Sequence, residues 1–467
     1  MHKWGLSIAV SVYALLHFIT YFFENEVLLL VLMFSGLALF AFALVNYKIS
    51  RFKLPLTLFL SGFIIFLISD TELLYGFTGG LLQMSNVIGL LIVVPMISWV
   101  LKEEFYMEAI VVFGHKLLDS SRKFYAGMVT FTQIIAYFLL FGAIPMMYQF
   151  VTMILKDEKG EAWEKFKGTA LLRGFALSTL WVISIPSFVF VVDVMEASLF
   201  ISILQGMLMA GIGVVLAVIF SFFEEKRSGV DLTAGLQSEI DEVLRESVNQ
   251  KETNKNVIEF AVLFISLFGT IFLLYSLLDI ELLILIPLTI IVWTIVYFIG
   301  KGRMNHFYAD VKTHMQHKIT QQSYQLSVML GAGMLIFSLN QTAFAQTVVD
   351  GIYTLQEMVP FLNLLYFLPF IIIVLGFFGL GPLTVLVLVG GILGSIHLPY
   401  EPELIVLAVT SGSAISILLS PLIMPIITLS GSNGLSGFTN GIRFNWKYAL
   451  ALYMVVQIYV QTRVYIG

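Results

Sequence analysis

Hydroxyl and amide side chains interrupt the apolar sequence at four places, and these groups are well suited to bind a small solute. The four stretches read GGLLQMSN (79–86), ALSTLWVISIPS (176–187), FSLNQTAF (337–344) and TSGSAISILLSP (410–421). A proline removes one backbone donor and displaces the carbonyl four residues before it, so that a helix breaks there. The free N–H groups at a helix start suit an anion, whereas unwound carbonyls and hydroxyls suit Na⁺.

Polar residues in and near these stretches are the candidates for binding and coupling. The candidates for solute binding are Ser85, Asn86, Ser178, Thr179, Ser338, Asn340, Thr342, Ser413, Ser416 and Arg173. Two of these, Asn86 and Asn340, together with Asp193, are candidates for ion coupling, because amide and ionisable side chains within a membrane need partners. Helix packing is the alternative for the hydroxyls. For Arg173 the alternative is a snorkelling arginine that fixes orientation, and for Asp193 it is a charge at a helix end.

The composition indicates an integral membrane protein. Of the 467 residues, 59% are hydrophobic and 12% are charged, whereas soluble domains average about 45–50% and about 25%. Apolar runs of about 18 residues or more recur along the chain, which predicts an all-α polytopic membrane protein with about 11–13 membrane segments. The chain has no cysteine, so that disulfides, thiolate metal sites and thiol catalysis are excluded.

Catalytic and metal-binding patterns are missing from the sequence. It contains no HExxH, GxSxG or paired-carboxylate pattern, and the histidines at 306, 314 and 317 stand in a basic loop. We therefore predict no catalytic residues, no metal site, no cofactor other than Na⁺ as a coupling ion, and no nucleic-acid partner. The expected partners are a small-molecule solute and the lipid bilayer.

The distribution of Lys and Arg predicts the topology. Loops 48–53, 102–124 and 301–322 are basic, and together with the polar linker they are expected to be cytoplasmic. They can share one side only if one segment between 125 and 223 does not cross, and 169–195 is the best candidate. The N-terminus is then cytoplasmic, and the plasma membrane is the expected location because no organelle-targeting segment is evident.

Weak internal similarity indicates a duplication. Ala176-Leu177-Ser178 matches Ala414-Ile415-Ser416 at an offset of 238, and FGAIP at 141–145 matches FGLGP at 378–382 at an offset of 237. The topology makes the two copies inverted, as in secondary transporters, although convergent membrane composition is the alternative. The predicted organisation is 1–69 (N-terminal scaffold helices), 70–223 (repeat 1, broken at 169–195), 224–256 (cytoplasmic linker), 257–322 (scaffold helices and basic loop) and 323–467 (repeat 2, broken at 402–430).

Two inverted halves with broken segments that bear Ser, Asn, Thr and Pro resemble the ion transporter superfamily, which includes divalent anion:sodium symporters and gluconate-type permeases. The symporters carry a Ser-Asn-Thr signature in each half. Here the first copy has Ser85-Asn86-Val87, and the second has Ser338-Leu339-Asn340 with Thr342 shortly after. The resemblance implies an elevator-type carrier, often a homodimer, in which a substrate-carrying domain moves against a scaffold.

The sequence therefore predicts a secondary active transporter, a permease for a small anionic organic solute, coupled to Na⁺ or H⁺ and working by alternating access. Two alternatives stay open at this point. One is a membrane-embedded enzyme that acts on a lipid-linked substrate, and the other is a non-catalytic assembly or channel subunit.

Overall fold

A computed structural model gives the architecture of the chain. It describes residues 2–23, 25–69, 72–104, 106, 109, 120–155, 160–228, 250–358 and 363–466. These residues form helices and connecting turns, without a strand among them. Most of the predicted 224–256 linker, residues 229–249, lies outside the described residues.

The helices are numbered in chain order. They are α1 (His2–Phe22), α2 (Glu26–Asn46), α3 (Lys53–Ile68), α4 (Leu73–Leu82), α5 (Ser85–Val93), α6 (Ile97–Leu101), α7 (Ser121–Leu139), α8 (Ala143–Ile154), α9 (Glu161–Ser178), α10 (Pro186–Val194), α11 (Leu199–Ser228), α12 (Gln250–Leu277), α13 (Leu282–Gly300), α14 (Met304–Thr313), α15 (Ile319–Asn340), α16 (Phe344–Met358), α17 (Leu364–Phe377), α18 (Pro382–Leu393), α19 (Pro402–Leu419), α20 (Met424–Asn433) and α21 (Phe444–Ile466).

Within the described residues, nine helical stretches are long and apolar enough to span a membrane, and three shorter apolar helices accompany them. Helix α11 shows the membrane pattern clearly, because it exposes Phe200, Leu204 and Met207 and buries Ser202 and Gln205. Apolar side chains outside and polar ones inside fit a hydrocarbon solvent. The prediction of an all-α polytopic membrane protein is confirmed.

The chain forms two compact units. The first unit comprises 1–100, 269–362 and 387–398, and in it α15 packs along α3 and α4. The second unit comprises 101–268, 363–386 and 399–467. In the second unit α9 packs against α7, and α19 packs against α17 and α21.

Each of the four polar stretches contains a helix end. Helices α4 and α5 meet at 83–84, α9 and α10 are separated by 179–185, α15 and α16 by 341–343, and α19 and α20 by 420–423. The two stretches that matched at FGAIP and FGLGP also lie at interruptions, and backbone φ is positive there, at Leu140 (49°) and Gly379 (81°). Within the apolar run that the sequence shows at 361–396, the turn at Gly379 separates α17 from α18.

Candidate functional site

The first broken helix lies in the second unit, where α9 ends at Ser178 and α10 starts at Pro186; residues 179–185 are named the first break. The Ser178 and Thr179 hydroxyls donate to carbonyls of the preceding turn, at 2.6 and 2.7 Å, and close the end of α9. Ile185 is extended (φ −84°, ψ 109°) and precedes Pro186. Proline has no N–H and a fixed φ, so it suits the first position of a new helix.

The first break is buried and incompletely hydrogen-bonded. Every residue from 179 to 185 is buried, and the Ser184 hydroxyl donates to the Tyr137 carbonyl. The N–H groups of Ile183 and Ser184 have no hydrogen-bond acceptor among the described residues. Buried backbone donors nearly always find a partner, and in membrane proteins irregular backbone occurs where it is buried in protein or lines a polar cavity. The first break therefore presents two buried donors that have no acceptor among the described residues.

Helices α7 and α11 pack against the first break and bring polar groups to it. The Trp181 indole N–H donates to Gln133 Oε1 on α7, at 3.0 Å, and both side chains are buried. On α11, Gly206 touches the Leu180 carbonyl. In the turn before Gly206, the buried Ser202 Oγ and Gln205 Oε1 have no hydrogen-bond partner among the described residues.

The second broken helix also lies in the second unit. Helix α19 ends at Leu419, α20 begins at Met424, and residues 420–423 are named the second break. The Ser420 hydroxyl donates to the Gly376 carbonyl on α17, at 2.8 Å. Unlike the first break, this one is partly open, because 57% of the Leu422 surface is exposed.

The two breaks restart their helices in the same way. Ile185 and Ile423 are both extended, both precede a first turn that contains proline, and neither α10 nor α20 has a side-chain cap. The two isoleucines lie 238 positions apart, which is also the offset between Ser178 and Ser416. Uncapped helix starts present N–H groups with a partial positive charge. No residue of either break carries a charge, so these N–H groups and the nearby hydroxyls supply the local polarity.

Ser413 and Ser416 lie on α19, which packs against α9 and α10. Both side chains are buried. Ser416 touches Gly376, where a Cβ would lie 1.8 Å from its Oγ, so Ser416 is part of the contact between α19 and α17. Ser413 Oγ is buried and has no hydrogen-bond partner among the described residues.

Arg173 is fully buried in α9, and its guanidinium is engaged by protein groups. Its Nε donates to Asn445 Oδ1 at 3.0 Å, and its Nη1 donates to the Tyr125 hydroxyl at 2.9 Å. Its Nη2 lies 3.5 Å from a Glu224 carboxylate oxygen, and the group stacks on the Tyr448 ring at 4.6 Å. It also donates to two backbone carbonyls, those of Ala217 and Phe444. Arg173 is therefore not a snorkelling arginine, and its candidacy for solute binding stays a prediction.

Asp193 lies one residue before the end of α10 and is half-buried. It forms part of the last turn of that helix, as expected for a charge at a helix end. Its candidacy for ion coupling stays a prediction.

The remaining candidates lie in the first unit. Ser85 and Asn86 begin α5, and the Asn86 amide donates to a Glu281 carboxylate oxygen at 2.9 Å. Ser338 donates to a carbonyl of its own helix, at 2.7 Å. Asn340 is exposed at the end of α15, and Thr342 donates to the Leu339 carbonyl at 2.7 Å.

The structure thus divides the predicted site residues into two sets. The set in the second unit consists of Arg173, Ser178, Thr179, Asp193, Ser413 and Ser416, and the set in the first unit consists of Ser85, Asn86, Ser338, Asn340 and Thr342. Within the described residues, no group of three or more His, Asp or Glu side chains could hold a metal ion.

Sequence reasoning missed the polar residues that line the first break from α7 and α11. Gln133 and Gln205 are uncharged amides inside apolar segments. An amide at that depth needs a partner, and this argument selected Asn86 and Asn340. Applied to every amide in an apolar run, it would have found both glutamines.

No protein-family model matches the chain, and no curated protein matches its sequence. Among solved structures, the chain is similar to a crystal structure of the Alcanivorax borkumensis YdaH transporter, which is described as having an unusual topology. The two chains share 16% sequence identity and superpose with a TM-score of 0.51, over 83% of this chain and 88% of the other. At this identity the likeness shows a shared fold.

Proposed function

We propose that this protein is a secondary active transporter for a small anionic organic solute, coupled to Na⁺ or H⁺. The observation that carries the proposal is the first break, a buried interruption followed by an uncapped helix start, with two backbone donors that find no acceptor in the described part of the chain. A buried gap of this kind costs free energy in a protein that only spans the membrane. A carrier recovers that cost when its solute binds.

The groups around the first break favour a carboxylate over a cationic solute. The N–H groups of Ile183 and Ser184 are donors, and the start of α10 adds a partial positive charge. The Ser413 hydroxyl, on a helix that packs against α9 and α10, supplies a further donor. Without a fixed charge in the break, the solute is held by hydrogen bonds that are released when the site opens to the other side.

The choice of coupling ion is argued from the oxygen atoms near the first break. Helix ends present carbonyl oxygens, and the Ser178 and Thr179 hydroxyl oxygens can still accept or coordinate after donating to the backbone. Such oxygens suit Na⁺. Coupling to H⁺ would instead use a titratable side chain, for which Asp193 is the candidate in the second unit.

Further features of the proposal concern location and motion. We place the carrier in the plasma membrane with its N-terminus in the cytoplasm, because the basic loops are then cytoplasmic. An elevator-type movement, a homodimer and two inverted repeats fit the resemblance to the ion transporter superfamily. The fold shared with the YdaH transporter is consistent with a carrier, and we propose that the chain is not an enzyme.

Transport by the purified protein in proteoliposomes tests the proposal. Uptake of radiolabelled mono-, di- and tricarboxylates is measured with an inward Na⁺ gradient, with an inward proton gradient, and with neither. We expect at least one carboxylate to accumulate above its external concentration under one gradient, and an ionophore that collapses the gradient should abolish the accumulation. Uptake equal to that of empty liposomes across the whole panel and under both gradients would reject the proposal.

A further inference from the structure

The glycine-rich segment that follows α20, residues 434–443, folds back over the second break. A Cβ at Gly441 would lie 2.8 Å from the Leu419 carbonyl oxygen, at the end of α19, and one at Gly437 would lie 3.0 Å from the Pro421 carbonyl oxygen. The segment therefore packs its backbone directly on the backbone of the break. Its last turn, Thr439–Arg443, is a π-helix, a form often found at functional sites.

Two asparagines tie this segment back to α20. The Asn433 amide donates to Asn440 Oδ1 at 2.8 Å, and the Asn440 amide donates to Asn433 Oδ1 at 3.0 Å. The Asn440 amide also donates to Ser430 Oγ at 3.1 Å, and Asn440 is buried. Because Asn440 is buried, a change at Asn433 leaves Asn440 Oδ1 without its donor, which is costly.

A third asparagine joins the segment to the first broken helix. The Asn445 amide donates to the Asn440 backbone carbonyl at 2.8 Å, and Asn445 Oδ1 accepts from Arg173 Nε at 3.0 Å. Asn445 is fully buried. A continuous chain of hydrogen bonds thus runs from Asn433 on α20 to Arg173 on α9, the helix that ends at the first break. We name these four residues, Arg173, Asn445, Asn440 and Asn433, the Arg173 network.

The rest of the Arg173 guanidinium anchors this network to α7 and α11. The Tyr125 hydroxyl, which accepts from Arg173, donates in turn to Thr169 Oγ1 at 3.0 Å. Glu224 lies 3.5 Å from both Arg173 and Lys165, so the buried charge has a carboxylate partner. Removing Glu224 would leave the buried Arg173 charge without a carboxylate partner, which is costly. These contacts hold the Arg173 guanidinium in one position.

We propose that the Arg173 network positions α20, and with it the second break, relative to α9. Arg173 is then a positioning residue for the solute and not its ligand. This inference rests on the proposed transport function only in its consequence for solute affinity. Its structural part, the dependence of α20 on Arg173, can be measured without any solute.

Hydrogen–deuterium exchange of the protein in nanodiscs tests the structural part. We compare Arg173→Lys, Arg173→Met and Asn440→Ala with Arg463→Met, which removes an exposed ion pair with Glu401 at 2.8 Å. Lysine keeps the charge but loses the Nε donor to Asn445, so Arg173→Lys stays informative if the Met variant does not fold. We expect amide exchange in α20 to rise about tenfold or more in the network variants and to stay at the wild-type rate in Arg463→Met.

One exchange result would overturn the proposal. If Arg173→Lys and Arg173→Met leave exchange in α20 at the wild-type rate, while Asn440→Ala raises it, the network does not reach from α9 to α20. This result does not depend on whether the protein transports anything, so it is separate from a failure of the proposed function.

Transport kinetics test the consequence for affinity, with the carboxylate that the panel identifies as the substrate. We expect Arg173→Lys and Asn440→Ala to raise KM about tenfold each while Vmax changes less than about twofold, with Arg463→Met at the wild-type KM. A raised KM in Arg173→Lys together with an unchanged KM in Asn440→Ala would contradict the proposal, because Arg173 would then act on the solute directly.

Discussion

Gly206 of α11 lies directly against the carbonyl oxygen of Leu180 in the first break. A Cβ at position 206 would lie 1.9 Å from that oxygen and 2.7 Å from the carbonyl carbon. The obstacle is backbone, which cannot rotate away as the end of a flexible side chain can. We expect Gly206→Ala to lower the free energy of unfolding by about 1–3 kcal/mol through overpacking and to reduce transport, measured by thermal unfolding and by uptake in proteoliposomes.

Gly211 provides the matched control on the same helix. It has no atom within 4 Å of an added Cβ. Alanine is a better helix former than glycine by up to about 1 kcal/mol, so Gly211→Ala should be as stable as the wild type or more stable. Equal stability of the two variants would contradict the contact between α11 and the first break.

Ser413 separates a binding role from a packing role. Its buried Oγ lacks a hydrogen-bond partner among the described residues, so removing the hydroxyl should leave stability unchanged or raise it by about 1 kcal/mol. We expect Ser413→Ala to keep its melting temperature and to raise KM for the transported carboxylate. Ser411, whose hydroxyl donates to the Ala408 carbonyl at 2.8 Å, is the control, and Ser411→Ala should transport normally. A wild-type KM in Ser413→Ala would remove this residue from the site.

The helix breaks could be predicted because their causes are local. Pro186 and Pro425 open the first turns of α10 and α20, and a proline acts on its own helix wherever the rest of the chain lies. The apolar runs likewise identify membrane helices without reference to their neighbours.

The role of Arg173 could not be predicted, because it depends on residues far away in the sequence. Its partners Asn445 and Tyr125 lie 272 and 48 positions from it. Sequence reasoning treated Arg173 as an isolated charge at a membrane edge, for which the choices are an anion or an interface. A fully buried position with protein acceptors was not among them.

The hydrogen bond from Trp181 to Gln133 joins the first break to α7, and its contribution to stability can be tested directly. Gln133→Leu leaves the buried indole N–H without its acceptor, which costs about 1–3 kcal/mol. Trp181→Phe removes the donor instead. We expect the double variant to be less destabilised than the sum of the two single variants, with a coupling energy of about 0.5–3 kcal/mol from thermal unfolding. Additive effects would mean that this hydrogen bond does not stabilise the contact between α7 and the first break.

His314 should make the stability of the protein depend on pH. It is buried in the π-helical turn between α14 and α15, outside the candidate spans, and its ring packs edge-on to Trp99 with 5.6 Å between centroids. Burial, and then the charge of Lys318, lower the pKa of His314 to about 4, against about 6.5 in an unfolded chain. Below pH of about 6.5 the unfolded state therefore binds a proton that the folded state does not.

The contribution of His314 is therefore fully present above pH of about 6.5 and is lost as the pH falls to about 4, by about 3 kcal/mol in total. We expect His314→Phe, which keeps the ring, to flatten the fall in melting temperature between these pH values. His306 is exposed, so His306→Gln should follow the wild-type curve. If His314→Phe and the wild type lose stability in parallel over this range, His314 is already protonated in the folded protein and the buried, neutral ring described above is wrong.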